Sequence, residues 1–313
     1  MKLAFFDSHR LGVITGDAVV DVSGVVESIP HTVPHELMRG LIERFDSYRS
    51  VLEEAARSGR RLPLVAVRLQ APLPAPSNVV CMAVNYLEDG TRKEPAPINA
   101  FLKSPSSIIG PRQEIVLPDV PAAVFEGEAE MAVVIGRRAK CVNAASAMDH
   151  VFGYVNFIDV SARAVTSDKN SFYQSKSRDT FGPLGPYLVT ADEIADPQAL
   201  QIRLWVNGDL KQDFNTSDMA HKVPRCIEWV SHVHSLEPGD ILATGTNHRG
   251  LNAFQDGDTV ELEVDGLGRL TVRVRDDLKR TWSRETRLDR QRRGLEGLQG
   301  LAPQLTGKYA PGH

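Results

Sequence analysis

Residues 125–136 read Phe-Glu-Gly-Glu-Ala-Glu-Met-Ala-Val-Val-Ile-Gly. The second half, Met131 to Ile135, is an apolar run rich in β-branched residues and closed by Gly136, the pattern of a buried strand. A strand sends alternate residues to the same face, so Glu126, Glu128 and Glu130 share one side. Same-face neighbours lie roughly 6.5–7 Å apart, so two Glu side chains can lean together onto one ion whose ligand oxygens sit at about 2.0–2.6 Å. Without a cation they would repel. The competing reading is a solvated edge strand whose charges discourage edge pairing.

Moving outward, Asp159 lies inside an apolar run, Tyr-Val-Asn-Phe-Ile-Asp-Val-Ser-Ala-Arg. A carboxylate there is costly to bury unless it is paired or bound to a metal, and Arg163, four residues on, is a candidate partner. Lys176 stands in Gln-Ser-Lys-Ser-Arg-Asp-Thr-Phe-Gly-Pro-Leu-Gly-Pro, where a solvated lysine is the ordinary alternative to a functional one. Asn207-Gly208 is a hairpin turn that presents Gln212 from the returning strand. Residues 237–250 run from a strand into a loop of Gly and hydroxyl residues, Thr244-Gly245-Thr246-Asn247-His248, whose backbone N–H groups can approach an anion closely.

The 313 residues are enough for one large domain and a smaller one, and their net charge is only -4 with no basic block in the main body. Nucleic acid and membrane surfaces are thereby disfavoured as partners. Cys81, Cys141 and Cys226 are odd in number and scattered, which suits reduced thiols in a cytoplasm. No apolar run approaches the roughly 20 residues of a membrane span. Residues 1–72 form a small unit of short β pieces followed by a helix from Pro34 to Gly59. Residues 73–282 are dominated by strands, with two helices at Ala144–His150 and Pro224–His234. The fold class is therefore α+β and mostly β. Residues 283–313, basic and polar, read as an extension that is disordered alone or docked on a partner subunit, with Leu288, Leu295, Leu298 and Leu301 as the contact residues.

The order Asn85-Tyr86, Glu128-x-Glu130, Asp159-Val-Ser-Ala-Arg163, Lys176 before Gly-Pro, Asn-Gly-x-x-x-Gln212 and Pro-Gly-Asp-x-x-x-Thr-Gly-Thr246 resembles the fumarylacetoacetate hydrolase family over roughly residues 70 to 280. The resemblance implies a mixed β-sandwich roll with a small N-terminal domain, usually a homodimer. It implies Mg2+ or Mn2+, with Ca2+ as a further candidate, held by Glu128, Glu130 and Asp159, in agreement with the all-oxygen ligand set. It places Lys176 at a developing oxyanion and Tyr86, Arg163, Gln212, Gly245 and Thr246 around a small carboxylic acid substrate. Glu126 falls where the family carries an acidic residue that does not touch the ion. The activities implied are C–C bond hydrolysis of an acylpyruvate or fumarylacetoacetate type of acid, as in aromatic catabolism, or decarboxylation or keto-enol tautomerisation of an oxaloacetate-like acid. A metal-holding module without catalysis is the third reading.

The sequence departs from the family at one motif. The hydrolases carry Asn-Tyr-x-x-His-x-x-Glu, whose His-Glu pair activates water, and this chain has Asp89 for the His and Arg92 for the Glu. The family's Thr-Gly-Thr-Pro is Thr244-Gly245-Thr246-Asn247-His248 here. Either His248 supplies the base from another loop or the reaction needs no activated water, with Asp89, Glu88 and Glu94 in a mobile lid as a further candidate base set.

Overall fold

The computed structural model describes residues 1–165 and 171–311; the last two residues of the C-terminal extension lie outside them. Strand Val124–Ile135 pairs antiparallel along its whole length with Val151–Arg163, and on its other side with Ile241–Ala243. It is central and buried from end to end, so the edge-strand reading of its glutamates does not hold. Its two faces serve different cores. Phe125, Ala129, Met131, Val133 and Ile135 pack into the main core, while Ala132 and Val134 pack with Leu37, Leu41 and Phe45 of the N-terminal unit. The carboxylates open that second face before its apolar half begins.

A 12-stranded sheet runs from the N-terminal hairpins through Lys2–Phe6, Gly182–Thr190, Val151–Arg163, Val124–Ile135, Ile241–Ala243 and Val79–Met82 to Ala100–Lys103. The N-terminal unit shares this sheet, through antiparallel pairing of Leu3 with Leu188. A five-stranded sheet covers one face, its strands Gln201–Val206 and Thr259–Val264 alternating buried and half-buried residues. Such alternation marks a sheet with one face on the core, and Leu204, Leu262 and Leu270 meet Ile158 and Val160 there. The result is the mostly β, α+β class expected from the strand pattern, in the sandwich roll that the family resemblance implied.

Gly127 lets the two layers close over the acidic strand. A Cβ at that position would lie 2.2 Å from the ring of Phe254, so only glycine permits the contact. The hairpin at Asn207-Gly208 forms with φ of 54° and 84°, as its sequence requires.

The structure differs from the sequence reading in three places. The helix expected from Pro34 to Gly59 is two, Pro34–Glu43 and Phe45–Ser58, because Arg44 leaves helical geometry and the redirected chain sets Phe45 edge-on against Phe152 at 4.9 Å. Residues Ala144–His150 form a 3-10 helix. The C-terminal extension, expected to be disordered alone or docked on a partner subunit, makes contacts with the body of its own chain along its described residues. Trp282 donates its indole N–H to the Ala123 carbonyl at 2.7 Å, Arg284 makes two 2.7 Å bonds to buried Asp258, and Lys308 and Tyr309 reach Asp119. Arg284, Arg287 and Lys308 meet acids on the body, whereas Arg290 and Arg293 pair with Glu285 inside the extension. Of the four leucines expected to contact a partner, Leu288, Leu295 and Leu301 are half-buried and Leu298 is exposed. Among the described residues no helix is long and apolar enough to cross a membrane.

Candidate active site

The register of two strands builds the acidic centre. Glu128 stands directly opposite Asp159 across the antiparallel pair, and Glu130 follows two residues on along the same face. All three are buried, and one carboxylate oxygen from each lies within 4.8 Å of the others. Glu130 Oε2 accepts from the Gly245 N–H at 2.7 Å, whereas Glu130 Oε1 is buried with no hydrogen-bond partner among the described residues. An orphaned buried carboxylate oxygen beside two further carboxylates suits a hard divalent cation, so the residues present fit the ion that the sequence implied. Burial, with repulsion from Asp159 and Glu128, pushes the Glu130 carboxyl well above its usual range. A cation would reverse that cause.

Basic side chains surround the carboxylates. Lys176 Nζ lies 2.6 Å from Asp159 Oδ2 and 3.0 Å from Glu128 Oε1. Burial opposes its charge, but the two carboxylates outweigh this and raise its pKa. Burial would likewise raise the Glu128 carboxyl, yet Lys176, Arg163 and His248 hold it well below the usual range. Arg163 does not pair with Asp159: it bonds Glu126 Oε2 at 2.9 Å and Glu128 Oε1. Asp159 instead takes Lys103, whose Nζ donates to Oδ1 at 2.6 Å. Sequence reasoning passed over Lys103. The signal was present in Ala-Phe-Leu-Lys, a short strand that sends Phe101 and Lys103 to one face, with Phe101 also under the Lys176 ammonium at 5.0 Å.

The lid presents a different acid from the one expected. Glu88, Asp89 and Gly90 all have left-handed backbone, with φ of 55°, 56° and 76°. Successive left-handed residues turn the chain sharply and are costly outside glycine. The turn aims Glu88 inward, where its Oε1 lies 2.8 Å from Nδ1 of His248, and sends Asp89 outward to Arg249 at 2.8 Å. His248 and Glu88 thus meet, and Asp89 stands apart from them. Bonding to His248, together with Arg92, overcomes burial and lowers the Glu88 pKa. Of the old motif, Arg92 keeps a 3.3 Å contact with Glu88. No ion pair or hydrogen bond ties Glu94 to this group among the described residues.

The remaining site residues brace the loop that carries His248. Gln212 accepts from the Ala129 N–H at 3.1 Å and donates to Thr246 Oγ1 and the Asn247 carbonyl at 2.9 and 2.7 Å. Asn85 donates to the Thr244 carbonyl at 2.9 Å, and Tyr86 is buried edge-on to Phe214 with its hydroxyl unpartnered. Gly245, at φ 88°, takes a conformation that suits glycine and so turns its N–H onto Glu130. A cavity of about 320 Å³ opens beside this loop, walled by Glu88, Arg92, His248 and Arg249 on one side and by Arg287 and Gln291 of the C-terminal extension on the other. Neither this cavity nor a larger open groove of about 750 Å³, at Arg68, Arg112 and Arg273, is lined by the acidic triad.

Comparison with known proteins gives the family. The family model described as fumarylacetoacetate (FAA) hydrolase C-terminal matches residues 78–275. Maleylpyruvate hydrolase of Aquipseudomonas alcaligenes is 32% identical over 291 residues, covering 88% of this chain and 99% of that protein. The mitochondrial oxaloacetate tautomerase FAHD2B of Bos taurus is 38% identical over 273 residues, covering 83% of this chain and 84% of the relative. The crystal structure of maleylpyruvate hydrolase from Sphingobium sp. SYK-6, in complex with manganese(II) and pyruvate, superimposes with a TM-score of 0.79 at 36% identity, covering 88% of this chain and 99% of that one. The chain belongs to the fumarylacetoacetate hydrolase family.

Proposed function

We propose that this chain is a divalent-metal-dependent hydrolase that cleaves a C–C bond in a small 2-keto or β-diketo acid of the acylpyruvate type. The observation that carries the reading is the 2.8 Å contact between His248 and Glu88. It rebuilds a His-carboxylate pair from two loops where the family's motif has lost one. With Nδ1–H donated to Glu88, the other ring nitrogen is free to accept a proton.

Glu128, Glu130 and Asp159 would hold Mg2+ or Mn2+, which supplies Lewis-acid polarisation to the substrate's oxygens. His248 takes a proton from water, and the hydroxide formed adds to the acyl carbonyl. The C–C bond then breaks, its electron pair passing into the 2-keto acid half as an enolate. Lys176 offsets the enolate oxygen, and return of the proton to carbon releases a 2-keto acid and a carboxylic acid. Four buried carboxylates, Glu126, Glu128, Glu130 and Asp159, face four cationic side chains, Lys103, Arg163, Lys176 and Arg287. An added dication therefore leaves positive charge that an anionic substrate neutralises. Lys176 against Asp159 and Glu128, and His248 paired with Glu88, also favour an enzyme over an inert metal-holding module.

A second reading, tautomerisation of an oxaloacetate-like acid, is favoured by two lysines converging on Asp159 and by the similarity to the tautomerase; it needs no activated water. The test is purified protein with Mn2+ or Mg2+ offered a panel of acylpyruvates and oxaloacetate. Pyruvate release from an acylpyruvate, with solvent oxygen entering the acid product, is the expected result. Enol-to-keto conversion of oxaloacetate without any C–C cleavage across the panel would replace hydrolysis by the second reading.

A further inference from the structure

We propose that Arg287 is a positioning residue for the metal centre, acting through Glu126 and Arg163 to orient Glu128; the inference rests on the metal reading above. Arg287 belongs to the C-terminal extension, beyond the residues 78–275 matched by the family. A Thr286–Asp289 capping box starts its helix, and its backbone N–H donates to the Leu251 carbonyl at 2.8 Å, next to the turn that carries His248. From there the guanidinium grips both oxygens of Glu126, Nε to Oε1 at 2.9 Å and Nη2 to Oε2 at 2.5 Å. Glu126 Oε2 also takes Arg163 Nε at 2.9 Å, and the same Arg163 donates through Nη2 to Glu128 Oε1. The chain Arg287, Glu126, Arg163, Glu128 thus runs from the extension to a metal-binding carboxylate, and Glu126 is only 1% exposed.

Removal of Arg287 takes the 2.9 Å donor from Glu126 Oε1 in a buried site, leaving the carboxylate held by Arg163 alone among these donors. Arg163 is the nearest remaining donor. Drawn fully onto Glu126, it leaves Glu128 without the bond that fixes the plane of its carboxylate. Loss of such an outer partner costs roughly 10- to 100-fold in metal affinity. The simple Coulomb effect has the opposite sign, since one cation fewer near the site would tighten the ion. The direction of the change therefore separates positioning from bulk charge.

The experiment is Mn2+ titration by calorimetry on chelator-stripped protein, with melting temperature followed in parallel. Arg287→Met should weaken Mn2+ roughly 10- to 100-fold, Arg287→Lys should recover part of the loss, and the effect should not add to that of Glu126→Gln. Arg284→Met removes a two-bond ion pair of the same extension that touches Asp258 instead, and should leave Mn2+ affinity near wild type. Unchanged or tighter Mn2+ binding in Arg287→Met overturns the proposal, as does equal weakening in Arg284→Met, which would make the extension a general brace. Absence of Mn2+ binding in the wild type would instead remove the metal reading and this inference with it.

Discussion

At the scale of single residues, the proposed metal centre would rest on three fixed ligands, Glu128, Glu130 and Asp159. Replacing Glu128, Glu130 or Asp159 by Ala removes one of them, so Mn2+ binding and turnover should collapse together. Full activity of any of these variants in chelator-treated buffer would reject the metal centre. The base is tested by exchange as well. If hydrolysis is the reaction, His248→Gln should lower the turnover number by on the order of 10^2- to 10^4-fold, as loss of a general base does. An unchanged turnover number in His248→Gln, beside a collapse in Lys176→Met, would move the chemistry to enolate stabilisation without activated water. Glu128, Glu130 and Asp159 were legible in the sequence because strand alternation and the cost of burying a carboxylate are local rules. The partner of His248 was not singled out, since Glu88 and Asp89 are adjacent acids and only the left-handed turn decides which one faces inward.

At the scale of elements, the C-terminal extension departs most from its sequence reading. It has few apolar residues, so pattern alone gave no reason for it to dock on its own chain. What holds it is charge. Arg284 serves Asp258 and Arg287 serves Glu126, both acids 1% exposed. Truncation after Trp282 leaves both carboxylates short of partners and should destabilise the protein by roughly 3–5 kcal/mol, the usual cost of breaking a buried pair. Chemical denaturation of the truncated chain checks this, and an unchanged midpoint would show that the extension contributes nothing to stability. Two exposed-face strands, Thr259–Val264 and Arg269–Arg275, begin and end where alternation predicts, whereas the buried strands Val151–Arg163 and Gly182–Thr190, which lack alternation, extend beyond what the sequence pattern marks.

At the scale of the whole molecule, the contact between the N-terminal unit and the sheet carries a pH dependence. His35, on the helix Pro34–Glu43, is 7% exposed and neither ring nitrogen has a partner among the described residues. Burial, with a smaller push from Arg39, lowers its pKa to about 4. An unfolded chain protonates this imidazole near its ordinary value of about 6.5. Between those values the unfolded state binds a proton that the folded state does not, so stability falls as the pH drops through that window. The contribution is complete above about 6.5 and gone below about 4, and amounts to on the order of 3 kcal/mol at most. Denaturation at pH 7.5 and pH 5 should show a loss of about 2 kcal/mol from this group, absent in His35→Leu. An equal loss in the variant would place the dependence elsewhere.

The sequence by itself determined the mostly β class, the shared face of Glu126, Glu128 and Glu130, the hairpin at Asn207-Gly208 and the family, because each follows from periodicity, turn chemistry or a motif in fixed order. Tertiary structure alone decided that Arg163 pairs with Glu126 and Glu128, that Lys103 joins Lys176 on Asp159, that His248 meets Glu88, and that the extension closes on its own subunit. These are contacts between charges 17 to 161 residues apart in the chain. Many acid–base pairings satisfy the same composition, and packing of the two sheets selects one of them by bringing those side chains within bonding distance.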